Sequence, residues 1–128
     1  MTKKWVLVVE DEPDVRGILV EWLEKRGLSA TFAEDALQAF IQARDLKPFL
    51  IVCDLMMPIW GSGADAYRQL RGAPETKDLP ILFVTGADPV LAEKMVPDEP
   101  KVRLLFKPVQ WPLFALAIKE LTGVELEA

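Results

Sequence analysis

Apolar residues gather along the chain in short runs, and most runs are followed by a stretch with helical spacing. Trp5 to Val9 is the first run, and it stops on Glu10, Asp11 and Glu12. Pro13 suits the first turn of a helix. Beyond it Val15, Ile18, Leu19, Trp22 and Leu23 fall at i, i+3, i+4, i+7 and i+8, one helical face predicted to turn inward. Lys25, Arg26 and Gly27 end that helix. Leu28 to Phe32 alternates and reads as an edge strand. Glu34 and Asp35 open a second helix with Leu37, Phe40 and Ile41 inward, closed by Lys47 and Pro48.

Phe49 to Cys53 is apolar throughout, with no period of two. Such a run reads as a strand buried on both faces, the habit of a parallel sheet. It stops on Asp54, just before a loop closed by Pro58. A short helix follows with Ala66, Tyr67 and Leu70 on one side, broken at Gly72-Ala73-Pro74. Leu79 to Val84 is another buried strand, ending at Thr85-Gly86. Asp88 and Pro89 cap and start a brief helix that runs to about Met95 and is stopped by Pro97 and Pro100. Val102 to Phe106 is the last strand and ends on Lys107-Pro108. The final helix starts at Trp111-Pro112 and turns Phe114, Ala117, Ile118 and Leu121 inward.

Five strand–helix units of this length predict an α/β fold, (βα)5, with a parallel sheet between two layers of helices and right-handed crossovers. The whole chain, 1–128, is expected as one domain with its core at about 4–122 and a tail or linker stub at 123–128. Parallel strands all end at one edge, the edge where open α/β sheets bind ligands. Glu10, Asp11, Asp54, Thr85 and Lys107 are therefore expected to converge there.

Composition narrows what this convergence can do. The formal net charge of -5 argues against a basic nucleic-acid footprint. No apolar run approaches the roughly 20 residues of a membrane span. The chain has one cysteine, Cys53, predicted as a buried core residue; with no internal disulfide open to it, a reducing cytosol is the expected compartment. There is no histidine, which removes nucleophilic catalysis of the Ser-His-Asp and Cys-His kinds and makes a structural zinc site a poor fit. A metal here should be a hard cation held by oxygen.

Carboxylates gathered in one pocket repel one another. Lys107 can offset one charge, and a divalent cation two. Mg²⁺ favours a site of few carboxylates completed by water and phosphate oxygens. A carboxylate can also attack phosphorus to give an aspartyl phosphate, a transfer that needs positioning and charge neutralisation more than proton chemistry.

Four segments at strand ends carry a family resemblance: Val8-Val9-Glu10-Asp11-Glu12-Pro13, Cys53-Asp54-Leu55-Met56-Met57-Pro58, Val84-Thr85-Gly86 and Phe106-Lys107-Pro108. In this order they resemble the response-regulator receiver domain (CheY-like) of two-component signalling, over nearly the whole chain. The resemblance implies a flavodoxin-like three-layer sandwich with strand order 2-1-3-4-5. It implies that Asp54 accepts the phosphoryl group and helps hold Mg²⁺, with Mn²⁺ a possible substitute. Asp11 would bind the metal directly, Glu10 through water, and Met56 through its backbone carbonyl. Lys107 would pair with Asp54 and then with a phosphoryl oxygen, and Thr85 would turn inward to donate its hydroxyl. The implied donor is a sensor histidine kinase or a histidine phosphotransfer protein. The implied output is contact with a downstream protein as monomer or phosphorylation-linked dimer, without direct nucleic-acid or membrane binding. Such a domain phosphorylates and dephosphorylates its own Asp and is not a conventional enzyme.

The chain departs from the family pattern in the loop Ile59–Gly63, which holds Trp60, and at Leu104, where receivers often carry Tyr or Phe. Three rivals remain at this level. A degenerate receiver would bind a partner without phosphorylation. A phosphohydrolase with an aspartyl-phosphate intermediate commonly has a second Asp two residues after the nucleophile, where this chain has Met56. A nucleotide- or flavin-binding domain needs a glycine-rich loop after the first strand, where the acids Glu10-Asp11-Glu12 stand instead.

Overall fold

A computed structural model describes residues 4–56 and 63–128. In chain order the elements are β1 (Trp5–Val9), α1 (Pro13–Lys25), β2 (Ser29–Ala33), α2 (Ala36–Leu46), β3 (Leu50–Asp54), α3 (Gly63–Arg71), β4 (Ile81–Thr85), α4 (Pro89–Met95), β5 (Val102–Phe106) and α5 (Trp111–Thr122). All strand pairs are parallel, in the order β2-β1-β3-β4-β5. This is the flavodoxin-like sheet that the family resemblance implied.

The pleat sorts side chains onto two faces. Leu7, Val9, Ile51, Cys53, Ile81 and Phe83 pack beneath α2, α3 and α4. Val6, Val8, Leu50, Val52, Leu82 and Val84 pack beneath α1 and α5. Both clusters are closed to water, which is why the central strands read as unbroken apolar runs. Cys53 lies in the first cluster, and burial pushes its thiol up and away from reactivity.

Two helical faces differ from expectation. In α2 the residues turned to the sheet are Ala36, Ala39 and Ala43, while Leu37 and Ile41 are exposed and Phe40 is partly buried. Small side chains let the α2 backbone sit close to the sheet, so the alanine stripe wins over the bulkier one beside it. In α1, Leu19, Trp22 and Leu23 are buried as predicted, but Ile18 is 55% exposed. In α5, Trp111 stacks on Trp22 of α1 with ring centroids 5.1 Å apart. Leu113 and Leu116 stay exposed.

Gly123 closes α5 at φ 80°, a left-handed turn that suits glycine. The residues beyond it lie back on the domain. Leu126 packs against the α1–α5 cluster, Lys119 pairs with Glu125 at 2.8 Å, and Arg26 donates to the Glu127 carbonyl. Among the described residues, no helix is long and apolar enough to cross a membrane.

Candidate functional site

Register explains which side chains meet. Val9 is level with Cys53 across β1 and β3, so one step further Glu10 comes level with Asp54. Thr85 is level with Phe106, which brings Lys107 just past the end of β5. The pleat then decides the face. Glu10, Asp54 and Lys107 follow Val8, Val52 and Leu105 by two residues, all members of the α1–α5 cluster. Thr85 follows Phe83, of the opposite cluster.

Lys107 accordingly reaches two carboxylates. Its Nζ donates to Glu10 Oε1 at 2.7 Å and to Asp54 Oδ2 at 3.4 Å. Lys107 thus pairs with Asp54 and also, at the shorter distance, with Glu10, a contact the sequence did not point to. Burial alone would lower the Lys107 ammonium, but the bond to Glu10 and the charge of Asp54 outweigh it and hold its pKa above the usual lysine value. Glu10 is 1% exposed, and its Oε2 is buried without a partner among the described residues. Burial first, and the neighbouring Asp54 next, push its carboxyl up to about 7 despite Lys107.

Asp54 itself is buried, and its Oδ1 accepts the Met56 N–H at 3.1 Å. Glu10, Asp11 and Asp54 each offer an oxygen, and these atoms lie within 4.8 Å of one another. Three hard oxygens so close, one carboxylate oxygen of the group without a donor among the described residues, fit a small divalent cation better than they fit one another.

An open cleft of about 600 Å³ lies over this group. Asp11, Asp54, Met56 and Lys107 line it, together with Glu12, Gly86, Ala87, Asp88 and Leu91. Asp88 and Leu91 carried no site role in the sequence, although the turn after a strand ending at the same edge is the signal that marks Gly86 to Asp88. Asp88 also caps α4 by accepting from the Leu91 N–H at 3.4 Å. Thr85 stands apart. It is fully buried, its Oγ1 accepts the Ala87 N–H at 3.1 Å, and it does not line the cleft. Residues 57–62, which hold Trp60 and most of the Ile59–Gly63 departure, lie outside the described residues.

With this geometry in view, the chain matches the family model of the response regulator receiver domain over residues 6–119. It is similar to the phosphate regulon transcriptional regulatory protein PhoB of Escherichia coli (strain K12), with 30% identity over 134 residues. That match covers 94% of this chain but only 57% of PhoB, so the chain spans little more than half the length of that relative. Among solved structures, a response regulator receiver protein from Pseudomonas putida superposes with a TM-score of 0.83 at 28% identity, over 94% of this chain and 98% of that one. The receiver domain of the sensor histidine kinase PA1611 from Pseudomonas aeruginosa PAO1, with a magnesium ion coordinated in its active site cleft, shares the fold at a TM-score of 0.82 and 20% identity, covering 96% and 100% of the two chains.

Proposed function

The chain belongs to the response-regulator receiver family, and on that premise we propose that it accepts a phosphoryl group on Asp54 from a phosphohistidine of a sensor histidine kinase or a histidine phosphotransfer protein. A carboxylate oxygen of Asp54 forms the new bond to phosphorus as the P–N bond of the donor breaks. The bonding pair leaves with the imidazole nitrogen. Water later attacks the acyl phosphate and returns Asp54 to a carboxylate. The chain has no histidine, so the donor is a separate molecule or segment.

The observation that carries this reading is the meeting of an ammonium, Lys107, with Asp54 at an open cleft that Asp11 and Asp54 line and beneath which Glu10 completes a cluster of three carboxylates. That set has too much negative charge to receive phosphate unaided. Mg²⁺, or Mn²⁺ in its place, supplies the missing positive charge when bound. Asp11, Asp54 and the Met56 carbonyl would hold it, with Glu10 acting through water. Lys107 neutralises a phosphoryl oxygen, and the Thr85 hydroxyl donates to another once the turn after β4 rearranges. The resulting bias between two conformations is the signal passed to a downstream partner.

Incubation with acetyl phosphate and Mg²⁺ tests this. Intact mass should rise by one phosphoryl group, and a chelator should prevent the gain. No gain with acetyl phosphate, phosphoramidate or a phosphorylated kinase fragment would leave a phosphorylation-independent binding module as the function.

A further inference from the structure

Helix α4 joins the two edges of the sheet but is held lightly between them. It has seven residues, and only Ala92 is buried, while Val90 and Leu91 are 61% and 46% exposed. At its front, Leu91 and the turn Gly86 to Asp88 form one wall of the cleft. At its rear the chain runs through an irregular stretch to Glu99, near the opposite edge of the sheet.

Glu99 is gripped by α3. Arg71 makes a two-pronged contact with its carboxylate, Nε to Oε2 and Nη2 to Oε1, each at 3.1 Å. The Tyr67 hydroxyl donates to the same Oε2. The Arg71 guanidinium also lies over the Tyr67 ring at 5.2 Å. The side chains of Arg71 and Glu99 are only 16% and 24% exposed, so the paired charges are shielded from water and hold more strongly than a surface pair. Burial raises the Tyr67 phenol, and its bond to Glu99 adds to the rise. On the α3 side the grip is anchored. Arg71 Nη1 donates to the Leu79 carbonyl at 2.8 Å, and buried Thr76 bonds the Leu70 carbonyl at 2.6 Å.

The front of α4 has reason to move. Thr85 sits on the opposite face of the pleat from Asp54 and is tied to Ala87, so its hydroxyl reaches a group on Asp54 only if the Gly86–Ala87 turn changes. That turn leads straight into α4, whose rear is fixed at Glu99. We propose that Tyr67, Arg71 and Glu99 form a latch that holds α4 in the arrangement with Thr85 out of the cleft, and that filling the cleft at Asp54 works against this latch. The inference rests on the reading of Asp54 as phosphoryl acceptor. It adds a regulatory contact at the far edge of the sheet from the chemistry. Packed elements with two discrete arrangements couple such distant points.

Tyr67 is the only tyrosine in the chain, so 3-fluorotyrosine gives a single ¹⁹F reporter on the latch. Beryllofluoride, a phosphoryl mimic, carries its own fluorines, and one ¹⁹F spectrum with Mg²⁺ reads both occupancy and latch. Glu99→Gln supplies the open-latch reference. The bound protein should show the beryllofluoride signal together with a Tyr67 resonance moved towards that reference. A bound signal with the Tyr67 resonance unmoved overturns the latch and leaves the acceptor site standing. Absence of any bound signal overturns the acceptor reading and the latch with it. In unlabelled protein, Glu99→Gln and the milder Tyr67→Phe should each lower the half-saturating beryllofluoride concentration, by roughly fivefold or more. An unchanged or raised value in the folded variants would mean that the contact is only structural.

Discussion

Glu10 has one oxygen bonded to Lys107 and another, buried, with no hydrogen-bond partner among the described residues. Its carboxyl is raised to about 7 by burial and by Asp54. A raised carboxyl holds its proton in the folded state while the unfolded chain gives it up from about pH 4.5 upward. Metal-free stability should therefore fall as pH rises from about 4.5 through 7, by on the order of 3 kcal/mol from this group. On the proposed function Mg²⁺ would compete for the same carboxylates, and its stabilising effect should then grow over that interval. Thermal melts from pH 5 to 8 with and without MgCl₂ check both trends. Glu10→Gln should flatten the metal-free dependence; a variant with the wild-type profile would show that another group titrates. The convergence of Glu10 with Lys107, 97 residues away, was legible because both end parallel strands at one edge. The closer approach of Lys107 to Glu10, at 2.7 Å against 3.4 Å to Asp54, was not, since it depends on side-chain placement within an edge where the sequence puts both oxygens.

At the scale of the element, the strands were easier to read than the helix faces. A run such as Leu50 to Cys53 is buried on both sides, so every residue in it says the same thing. A helix must choose a face, and α2 carries two adjacent stripes. Hydrophobicity favoured Leu37 and Ile41, whereas close approach to the sheet favoured Ala36, Ala39 and Ala43. Ala39→Leu should therefore destabilise by about 1–3 kcal/mol through overpacking. Leu37→Ser should stay within about 0.5 kcal/mol. Urea denaturation of the two variants compares them directly, and the opposite ranking would restore the larger side chains as the packing face. Helix α4 matched the boundaries set by Asp88-Pro89 and Pro97, because proline and a capping acid punctuate short helices strongly. The grip of Tyr67 and Arg71 on Glu99 left no local mark beyond the i, i+4 spacing of the first two.

The whole molecule brings its chemistry together by topology. Residues as far apart as Glu10, Asp54 and Lys107 meet because β1, β3 and β5 are parallel, and adjacent strands are locked by register. Thr85 shares the edge but not the face, a distinction of one residue in the pleat. Asp54, Lys107 and the acid cluster are thus assembled while the Thr85 hydroxyl is turned away, the arrangement from which the proposed transfer to Asp54 would start. Borohydride treatment of protein phosphorylated with acetyl phosphate tests the central claim most directly, because it reduces an aspartyl phosphate to homoserine in place. Peptide mass spectrometry should then find homoserine at position 54 and nowhere else, with none formed in Asp54→Asn. Homoserine at another acidic position, or phosphorylation that survives in Asp54→Asn, would contradict Asp54 as the acceptor.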